Sequence, residues 1–497
     1  DRRAGRRRAG LAERMKPIWP KIPAPFVRTM LASHSALGLF IAALVYLICL
    51  TGVLAVFTDE LHRWESPRTP EMSALASAAL QRAAEAALAA APGPVESMTI
   101  FLPTQSLPRA GVSLSTAAGA RDWAIAADGA LAPTQAAPWA DFVAALHMYL
   151  NAPGLIGYFV VGLAGVAMLA LAISGLMAHP RVFRDAFTLR WGGSRRLQEA
   201  DLHNRLSVWS LPFNLAVSLT GAYVGLISLL IYLVAVIGFH GDTEPLFAAM
   251  APPPAAESRA PAPLPALGDV IARVRADGLH AAPFSITIDH PLTRGQSLSI
   301  YAETPRHLRY GEQYYVTPAG DLRHVGFADG DLGQRLYGAA YPLHFGWFGG
   351  IWIKLLYGAL GLALCVIIAS GVNVWLARRR DQNRPAPIAG RLWDVVIWGV
   401  PIALAGAAGA SLALSWPPLA VFWAVFAACA LASAAPIGAG VWRTVCAVSL
   451  AGLVLIHALL AGAALFSVAG AADAALLGAA LIVLWPLRPR APRLAPA

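Results

Sequence analysis

Four histidines stand at matched distances before four Ser/Thr-Gly pairs, and each pair lies inside a long apolar run. The combinations are His34 with Thr51-Gly52, His203 with Thr220-Gly221, His147 with Ser174-Gly175, and His344 with Ser370-Gly371. The interval is identical in the first two combinations, and it differs by a single position between the last two. We therefore predict a duplicated unit with two equivalent pairs of imidazoles, His34 with His203 and His147 with His344.

A two-fold axis between the repeats would bring equivalent histidines face to face, and this arrangement predicts the chemistry. Structural zinc takes four protein ligands, whereas each predicted site offers two histidines and no acidic cluster. Haem iron needs only axial ligands from the protein, and without a C-x-x-C-H attachment motif the haem would be of b type. We predict two b-type haems, each with two histidine ligands and no open coordination position, so that their chemistry is electron transfer.

Spacing alone leaves other interpretations of these histidines open. An imidazole near the end of an apolar run also serves as an interfacial anchor or in a hydrogen bond between helices. The position of His179, in the stretch GLMAHPRVFRD, favours a role at the membrane interface for this residue. It is also the alternative to His203 as the ligand on that side of the membrane.

The composition is that of a multi-span membrane protein. The chain of 497 residues is 57% hydrophobic and 13% charged, whereas soluble domains are about a quarter charged. The net charge of +10 is concentrated in arginine-rich segments beside apolar runs, which is typical of membrane topology signals. We therefore expect a chain embedded in a lipid bilayer and no nucleic-acid partner.

Hydropathy predicts about eight transmembrane helices, with the arginine-rich segments on the cytoplasmic side of a bacterial inner membrane. The predicted order is a basic cytoplasmic tail (1–33), transmembrane helix 1 (34–57), a periplasmic domain (58–150), transmembrane helix 2 (151–178), a basic cytoplasmic loop (179–202), transmembrane helix 3 (203–239), a second periplasmic domain (240–345), transmembrane helix 4 (346–377), a basic cytoplasmic loop (378–392), four additional transmembrane helices (393–487) and a cytoplasmic tail (488–497).

The unit of helix, soluble domain and helix occurs twice in this order. Both soluble segments begin with an Ala-rich helical stretch and continue into runs of β-branched and aromatic residues, such as SMTIFLP and FSITID. Gly, Pro and Asp separate these runs, which predicts two small α+β domains. We predict a mainly α membrane protein whose four-helix haem-binding core is a tandem parallel repeat about an axis along the membrane normal.

The stretch YPLHFGWFGG, residues 341–350, surrounds His344 with aromatic residues and three glycines. A flat ring can approach the backbone closely where no Cβ intervenes. We therefore expect Gly346, Gly349 and Gly350 to lie against the haem that His344 binds.

Several longer motifs resemble the PepSY-associated transmembrane family, in the order that the family has them. They are HSALGLFIAALVYLICLTGVL, LHMYLNAPGLIGYFVVGLAG, DLHNRLSVWSLPFNLAVSLTG and YPLHFGWFGGIWIKLLYGALGLAL, and the match spans roughly residues 26–380. The resemblance implies two PepSY-like periplasmic domains and two b-type haems in the four-helix core. Carried over by motif, the haem ligands fall on His34, His147, His203 and His344.

The resemblance also implies an activity, because the family includes inner-membrane reductases of ferric siderophores. We expect an oxidoreductase that takes electrons from a quinol or a cytoplasmic reductase and reduces a periplasmic Fe(III)-siderophore, releasing Fe(II) for iron uptake. Two alternatives belong to other classes of function. One is a non-enzymatic periplasmic binding or regulatory protein, and the other is a permease for siderophores or peptides.

Overall fold

The computed structural model describes residues 23–179, 195–242, 258–277, 281–304, 308, 312–325, 332–462 and 468–485. Among these residues, six helical segments are long and apolar enough to cross a membrane. They are α1 (Ala24–Ala55), α5 (Ile156–Ala178), α7 (Leu211–Phe239), α10 (Gly350–Asp381), the segment Pro387–Leu414, and α14 (Ala439–Ala461). The protein is thus a mainly helical, multi-pass membrane protein.

Two of the eight predicted spans are shorter apolar helices, α13 (Pro418–Ala432) and α15 (Val468–Leu484). Their 15 and 17 residues correspond to about 22–26 Å at 1.5 Å per residue. This is less than the hydrocarbon core of about 30 Å that a spanning helix crosses. Where hydropathy predicts about eight spans, the described residues thus contain six helices long enough to cross a membrane and two shorter apolar ones.

The core is made of α1, α5, α7 and α10, together with α6 (Arg195–Trp209), which leads into α7. Small residues allow these helices to approach closely. A Cβ on Gly165 would lie 2.7 Å from the Ala222 nitrogen, and a Cβ on Gly361 would lie 2.7 Å from the Val53 side chain. Gly165 and Gly361 stand at the same distance before a Ser-Gly pair, and Val53 and Ala222 stand at the same distance after a Thr. The two contacts are therefore equivalent, as the predicted duplication requires.

The two soluble segments form one antiparallel sheet of eight strands, in the order β4-β3-β2-β1-β5-β6-β7-β8. The first segment contributes β1 (Val95–Phe101), β2 (Ala110–Thr116), β3 (Gly119–Ile125) and β4 (Leu131–Pro133). The second contributes β5 (Ala282–Asp289), β6 (Ser297–Glu303), β7 (Glu312–Val316) and β8 (Leu322–Val325). The strands lie where the residue pattern predicts them, but the two domains share one sheet.

The seam of the sheet repeats the symmetry of the helices. Strands β1 and β5 are the first strands of their segments, and they pair antiparallel with Thr99 opposite Thr287. The two hydroxyls are 3.1 Å apart. An interface in which equivalent residues meet each other is the signature of a two-fold axis, and this one passes between the two threonines.

Helices α3 (Ser77–Ala89) and α8 (Leu267–Arg275) cover one face of this sheet. Leu80 from α3, Val274 from α8, and Ile100 and Ile286 from the central strands are completely buried in a single hydrophobic core. The sheet lobe is thus one folded unit built from both halves of the repeat. It connects to the helices at the end of the bundle where α1 gives way to α2 (Thr58–Glu65). We call this the sheet end and the other the distal end.

The remaining helices form a C-terminal group, defined as residues 387–484 in the part that the structure describes. It begins with α11 (Pro387–Asp394), passes through a π-helical turn (Val395–Gly399), and continues into α12 (Val400–Leu414). Helices α13, α14 and α15 follow. Its core residues pack against α2 and against α4 (Pro138–Tyr149), so the group is attached to the sheet end of the first repeat.

Most arginine-rich segments used to predict topology, residues 1–21, the loop beyond His179 and the C-terminal tail, lie outside the described residues. The exception is ARRRDQNR, where Arg378, Arg379 and Arg380 occupy the last turn of α10. Cations in this position interact favourably with the negative end of the helix dipole.

Candidate functional site

The structure brings the predicted histidines together in two pairs. At the distal end, His34 of α1 and His203 of α6 have ring centroids 6.3 Å apart and ring planes at 80°. At the sheet end, His147 and His344 have ring centroids 6.0 Å apart and planes at 18°. Both pairs join residues that the sequence duplication makes equivalent.

His147 and His344 lie outside the spanning helices. His147 lies near the end of α4, and His344 near the end of α9 (Leu332–Phe345). Both short helices pack against the core helices, although the predicted domains 58–150 and 240–345 included them. In the structure the chain thus returns to the bundle before each spanning helix begins.

Each imidazole is hydrogen-bonded to the backbone of another core helix, and in His34, His147 and His203 the bond runs from Nδ1 to a carbonyl oxygen. The distances are 3.0 Å from His34 to the Leu171 oxygen, 2.9 Å from His147 to the Ile48 oxygen, and 2.8 Å from His203 to the Ile367 oxygen. His344 makes the equivalent contact with the Val217 backbone. In all four cases the acceptor stands three positions before the Ser or Thr of a Ser/Thr-Gly pair.

This anchoring decides the tautomer of each ring. In His344 the acceptor at Nδ1 is the Thr220 hydroxyl, whose own proton goes to the Ala216 oxygen; in the other three it is a carbonyl. A carbonyl oxygen can only accept a hydrogen bond, so Nδ1 must carry the proton and donate it. The proton-free lone pair then lies on Nε2, to which no hydrogen bond is made within the described part of the chain. A metal-bound histidine has this arrangement, in which the hydrogen bond at one ring nitrogen orients the other.

The Ser/Thr-Gly pairs form the surfaces on which the rings lie. A Cβ on Gly52 would lie 2.7 Å from Cε1 of His147, and a Cβ on Gly221 would lie 2.8 Å from Cε1 of His344. The corresponding distances are 3.0 Å from Gly175 to His34 and 3.1 Å from Gly371 to His203. Each pair therefore holds a histidine from elsewhere in the chain, with glycine leaving room for the ring.

The hydroxyls of the same pairs add to this anchoring. Nδ1 lies 3.1 Å from the Thr220 hydroxyl in His344 and 3.2 Å from the Ser174 hydroxyl in His34. The sequence revealed the motif, but it did not reveal which histidine each pair holds, because that depends on the order of the helices in the bundle.

The separation of the rings fits a single metal ion between them. Two imidazoles on opposite sides of one metal, with metal–nitrogen bonds of about 2.0 Å and ring radii of about 1.1 Å, have centroids about 6.2 Å apart. The observed distances are 6.3 and 6.0 Å. Within the described ranges, no group of three or more His, Cys, Asp or Glu side chains could hold a metal ion. Two nitrogen ligands and no third protein ligand suit a metal whose other ligands come from a macrocycle.

The three glycines of residues 341–350 have left-handed backbone conformations. Gly346, Gly349 and Gly350 have φ values of +69°, +79° and +62°, a left-handed conformation that glycine adopts without strain. A Cβ on Gly346 would meet the Tyr357 ring, and one on Gly349 would meet Ile353. The sharp turn between α9 and α10 is sufficient to require these glycines, and their position against a haem stays a prediction. The glycines that contact the imidazoles are in the Ser/Thr-Gly pairs.

His179 stands just after α5, where its backbone N–H donates to the Leu176 oxygen at 3.4 Å. The histidine that faces His34 in the structure is His203. Of the other histidines, His62 bonds Asp141 at 2.8 Å, while His280 and His307 lie outside the described residues.

Sequence reasoning missed a buried polar cluster in the C-terminal group. His457 of α14 and Asp473 of α15 are 1% and 5% exposed, and the His457 Nδ1 lies 2.8 Å from a carboxylate oxygen of Asp473. Their signal was visible in the sequence, because ionisable residues within apolar runs mark sites of polar interaction in a membrane. Their partner, the Trp64 side chain of α2, could not be predicted from its distance along the chain.

The fold and the paired histidines define a helical membrane protein with two sites, each made of two histidines that the repeat relates. A Ser/Thr-Gly motif occurs in each of the four core spans. The chain belongs to the family described as PepSY-associated TM region, which it matches over residues 31–378. This confirms the family resemblance found in the sequence. The match contains all four paired histidines and both halves of the sheet.

The chain is also similar to the uncharacterized protein PA4219 of Pseudomonas aeruginosa. The two are 32% identical over 254 residues, which is 49% of this chain and 64% of the relative. The chain thus matches slightly less than two thirds of that protein's length.

Proposed function

We propose that the protein is an inner-membrane electron conduit that holds two b-type haems and reduces Fe(III)-siderophores in the periplasm. The observation that carries the proposal is the pair of facing, Nδ1-anchored imidazoles at each end of one helical bundle. Without a bound ligand, each site would leave two proton-free Nε2 atoms on rings whose centroids are 6.3 or 6.0 Å apart. His34 and His203 would hold one haem, and His147 and His344 the other, and the bound haems would supply one-electron transfer.

The placement of the sites supports transfer across the membrane. His34 lies on α1, and the Ile48 carbonyl that anchors His147 lies further along the same helix. At the helical rise of about 1.5 Å per residue, positions 34 and 48 are about 21 Å apart along the helix axis. Two sites at this separation cover much of a hydrocarbon core of about 30 Å.

The chain's own residues define the environment of the sites. Carbonyl acceptors at Nδ1 raise the basicity of the imidazoles and fix their orientation. The glycines leave room for the rings against the helices, and α5 packs closely on α7 and α1 on α10. Electrons would come from a quinol or a cytoplasmic reductase at the distal end, and the sheet lobe would present the ferric siderophore at the other.

The substrate follows from the chemistry of iron chelates and from the family. Hard oxygen ligands hold Fe(III) much more strongly than Fe(II), so a single electron is enough to labilise such a chelate. This route needs no open coordination position and no protein nucleophile, in agreement with sites that offer two axial ligands only.

One observation argues against the permease alternative. Lys354 is the cation near the start of α10 that could have lined a path for a charged substrate. Its Nζ is 2.9 Å from both carboxylate oxygens of Glu60 and 3.5 Å from Asp59, and the residue is 6% exposed. Lys354 therefore fastens α2 to α10.

Anaerobic stopped-flow spectroscopy tests the proposal. Purified protein is reduced, freed of reductant and mixed with a ferric hydroxamate chelate in the presence of a coloured Fe(II) chelator. We expect haem oxidation and Fe(II) release to proceed together, and to be lost in His344→Ala. A haem-loaded protein that stays reduced while the ferric chelate remains intact would refute siderophore reduction.

A further inference from the structure

The helix that carries His147 lies between the sheet-end site and the C-terminal group. One face of α4 enters the core of that group. Trp139, Phe142, Val143 and Leu146 are all at most 5% exposed and belong to one cluster with residues of α12, α13 and α14. His147 is therefore held on a helix whose neighbouring face is part of the C-terminal core.

Glu65, the last residue of α2, connects α4 to this group. Its carboxylate accepts the backbone N–H groups of Trp139 at 2.9 Å and Ala140 at 2.8 Å, at the start of α4. These are N–H groups that a helix leaves without an internal partner. Ser411 of α12 donates its hydroxyl to the same carboxylate at 3.1 Å. A second bond runs from the Trp139 indole to the Leu404 oxygen of α12 at 3.1 Å.

Next to Glu65, Trp64 connects α2 to α14 and α15 of the C-terminal group. Its indole N–H donates to Asp473 at 2.9 Å, and its backbone oxygen lies 2.9 Å from Nε2 of His457. The His457 ring stacks on the indole with centroids 4.5 Å apart. Three buried groups thus fix α2, and through Glu65 they fix the start of α4.

The equivalent helix of the second repeat, α9, has a different environment. Trp139 and Leu336 stand at the same distance before their paired histidines, His147 and His344. Trp139 is 4% exposed, whereas Leu336 is 62% exposed. The C-terminal group therefore covers one member of a symmetric pair of helices and makes the two halves of the sheet-end site unequal.

We propose that the C-terminal group positions His147 through Glu65, with Ser411 and Trp139 as its contacts, and so sets the near-parallel ring orientation of the sheet-end pair. The rings meet at 18° at this site and at 80° at the distal end, and the duplication relates the two members of each pair, not one pair to the other. Glu65, Ser411 and Trp139 are positioning residues that act on the orientation of a ligand. The inference rests on the proposed haem function, and it gives the appended helices a role in orienting one ligand of the sheet-end haem.

The test uses Ser411→Ala and Glu65→Gln in the full-length, haem-loaded protein. Ser433→Ala is the matched control, because Ser433 is also a buried serine of the C-terminal group but donates to the Ala430 oxygen within its own helix turn. The readout is the low-spin ferric electron paramagnetic resonance spectrum, whose anisotropy depends on the angle between the two axial imidazole planes. The signal that disappears in His147→Ala is assigned to the sheet-end pair.

We expect both test variants to shift the g values of the sheet-end signal and to leave the distal signal in place, with Ser433→Ala unchanged. Hydrogen exchange gives a second readout that needs no cofactor. The amides of Trp139 and Ala140 should exchange faster in Glu65→Gln than in wild type, while those of residues 332–345 should not change.

Two results would overturn the inference. One is faster exchange in α4 with an unchanged sheet-end signal, since the contacts would then be structural only. The other is an equal shift of both signals, since the effect would then not pass through His147. A wild-type protein that purifies without haem would instead refute the proposed function.

Discussion

Gly52→Ala is the most direct perturbation of one site that leaves its ligands in place. A Cβ at this position would lie 2.7 Å from Cε1 and 3.0 Å from Nδ1 of His147. To reach ordinary contact at about 3.4 Å, the ring must retreat by about 0.7 Å. Gly52 and the Ile48 carbonyl lie one turn apart on α1. A ring that retreats from position 52 therefore also stretches the 2.9 Å bond between His147 Nδ1 and the Ile48 oxygen.

The magnitude follows from two costs. Overpacking of this kind in a well-packed interior costs about 1–3 kcal/mol. Loss of a hydrogen bond that orients a metal ligand lowers metal affinity by about 10–100-fold. We therefore expect Gly52→Ala to fold and insert but to bind haem at the sheet-end site about 10-fold more weakly or worse, with the distal site at full occupancy.

The assay is haem titration of purified apoprotein, followed by difference spectra and potentiometry of each variant. Gly371→Ala is a graded comparison, because its Cβ would lie 3.1 Å from His203 and should weaken the distal site less. Gly452→Ala is the control, since that helical glycine has nothing within 4 Å and alanine is the better helix former. Full haem affinity and unchanged potentials at the sheet-end site in Gly52→Ala would refute the glycine-surface argument.

Three further predictions follow from the pairing, the packing and the topology. His34→Ala and His203→Ala should each remove the same haem and leave the other near one per chain by pyridine haemochrome assay; loss of different haems would show that the pairing is wrong. Gly225→Leu should abolish folded protein in size-exclusion chromatography, because its Cβ would lie 2.6 Å from the Gly162 backbone, and a monodisperse variant would contradict the helix contact. A reporter that functions only in the periplasm should be active when it is inserted after Gly129. Activity there of a reporter that functions only in the cytoplasm would show that the predicted orientation is wrong.

The histidine pairs could be predicted because the duplication left matched intervals on both halves of the chain. The interval between His34 and Thr51 equals that between His203 and Thr220. It is continuous helix in α1, and in the second repeat it is interrupted only at Ser210, between α6 and α7. The sequence alone places the short helices ending near His147 and His344 in the soluble domains, since a helix of 12 or 14 residues does not reach the length of a membrane span.

What sequence could not supply was the arrangement of parts that are distant along the chain. Thr99 and Thr287 pair across the seam of the sheet over 188 residues, and neither strand carries a local signal for its partner. The same holds for Trp64 and Asp473, which are 409 residues apart. In the sequence, Gly346, Gly349 and Gly350 suggest the close approach of a flat ligand. A glycine that is required for a positive φ gives the same pattern, so the sequence does not distinguish the two reasons.

The central claim is that each facing pair of histidines binds one b-type haem, and the visible spectrum of the purified protein tests it most directly. We predict a Soret band with sharp α and β bands on reduction, two haems per chain, and loss of one haem when either pair is disrupted. A colourless protein, or one whose haem content is unchanged by His34→Ala and by His147→Ala, would contradict the account.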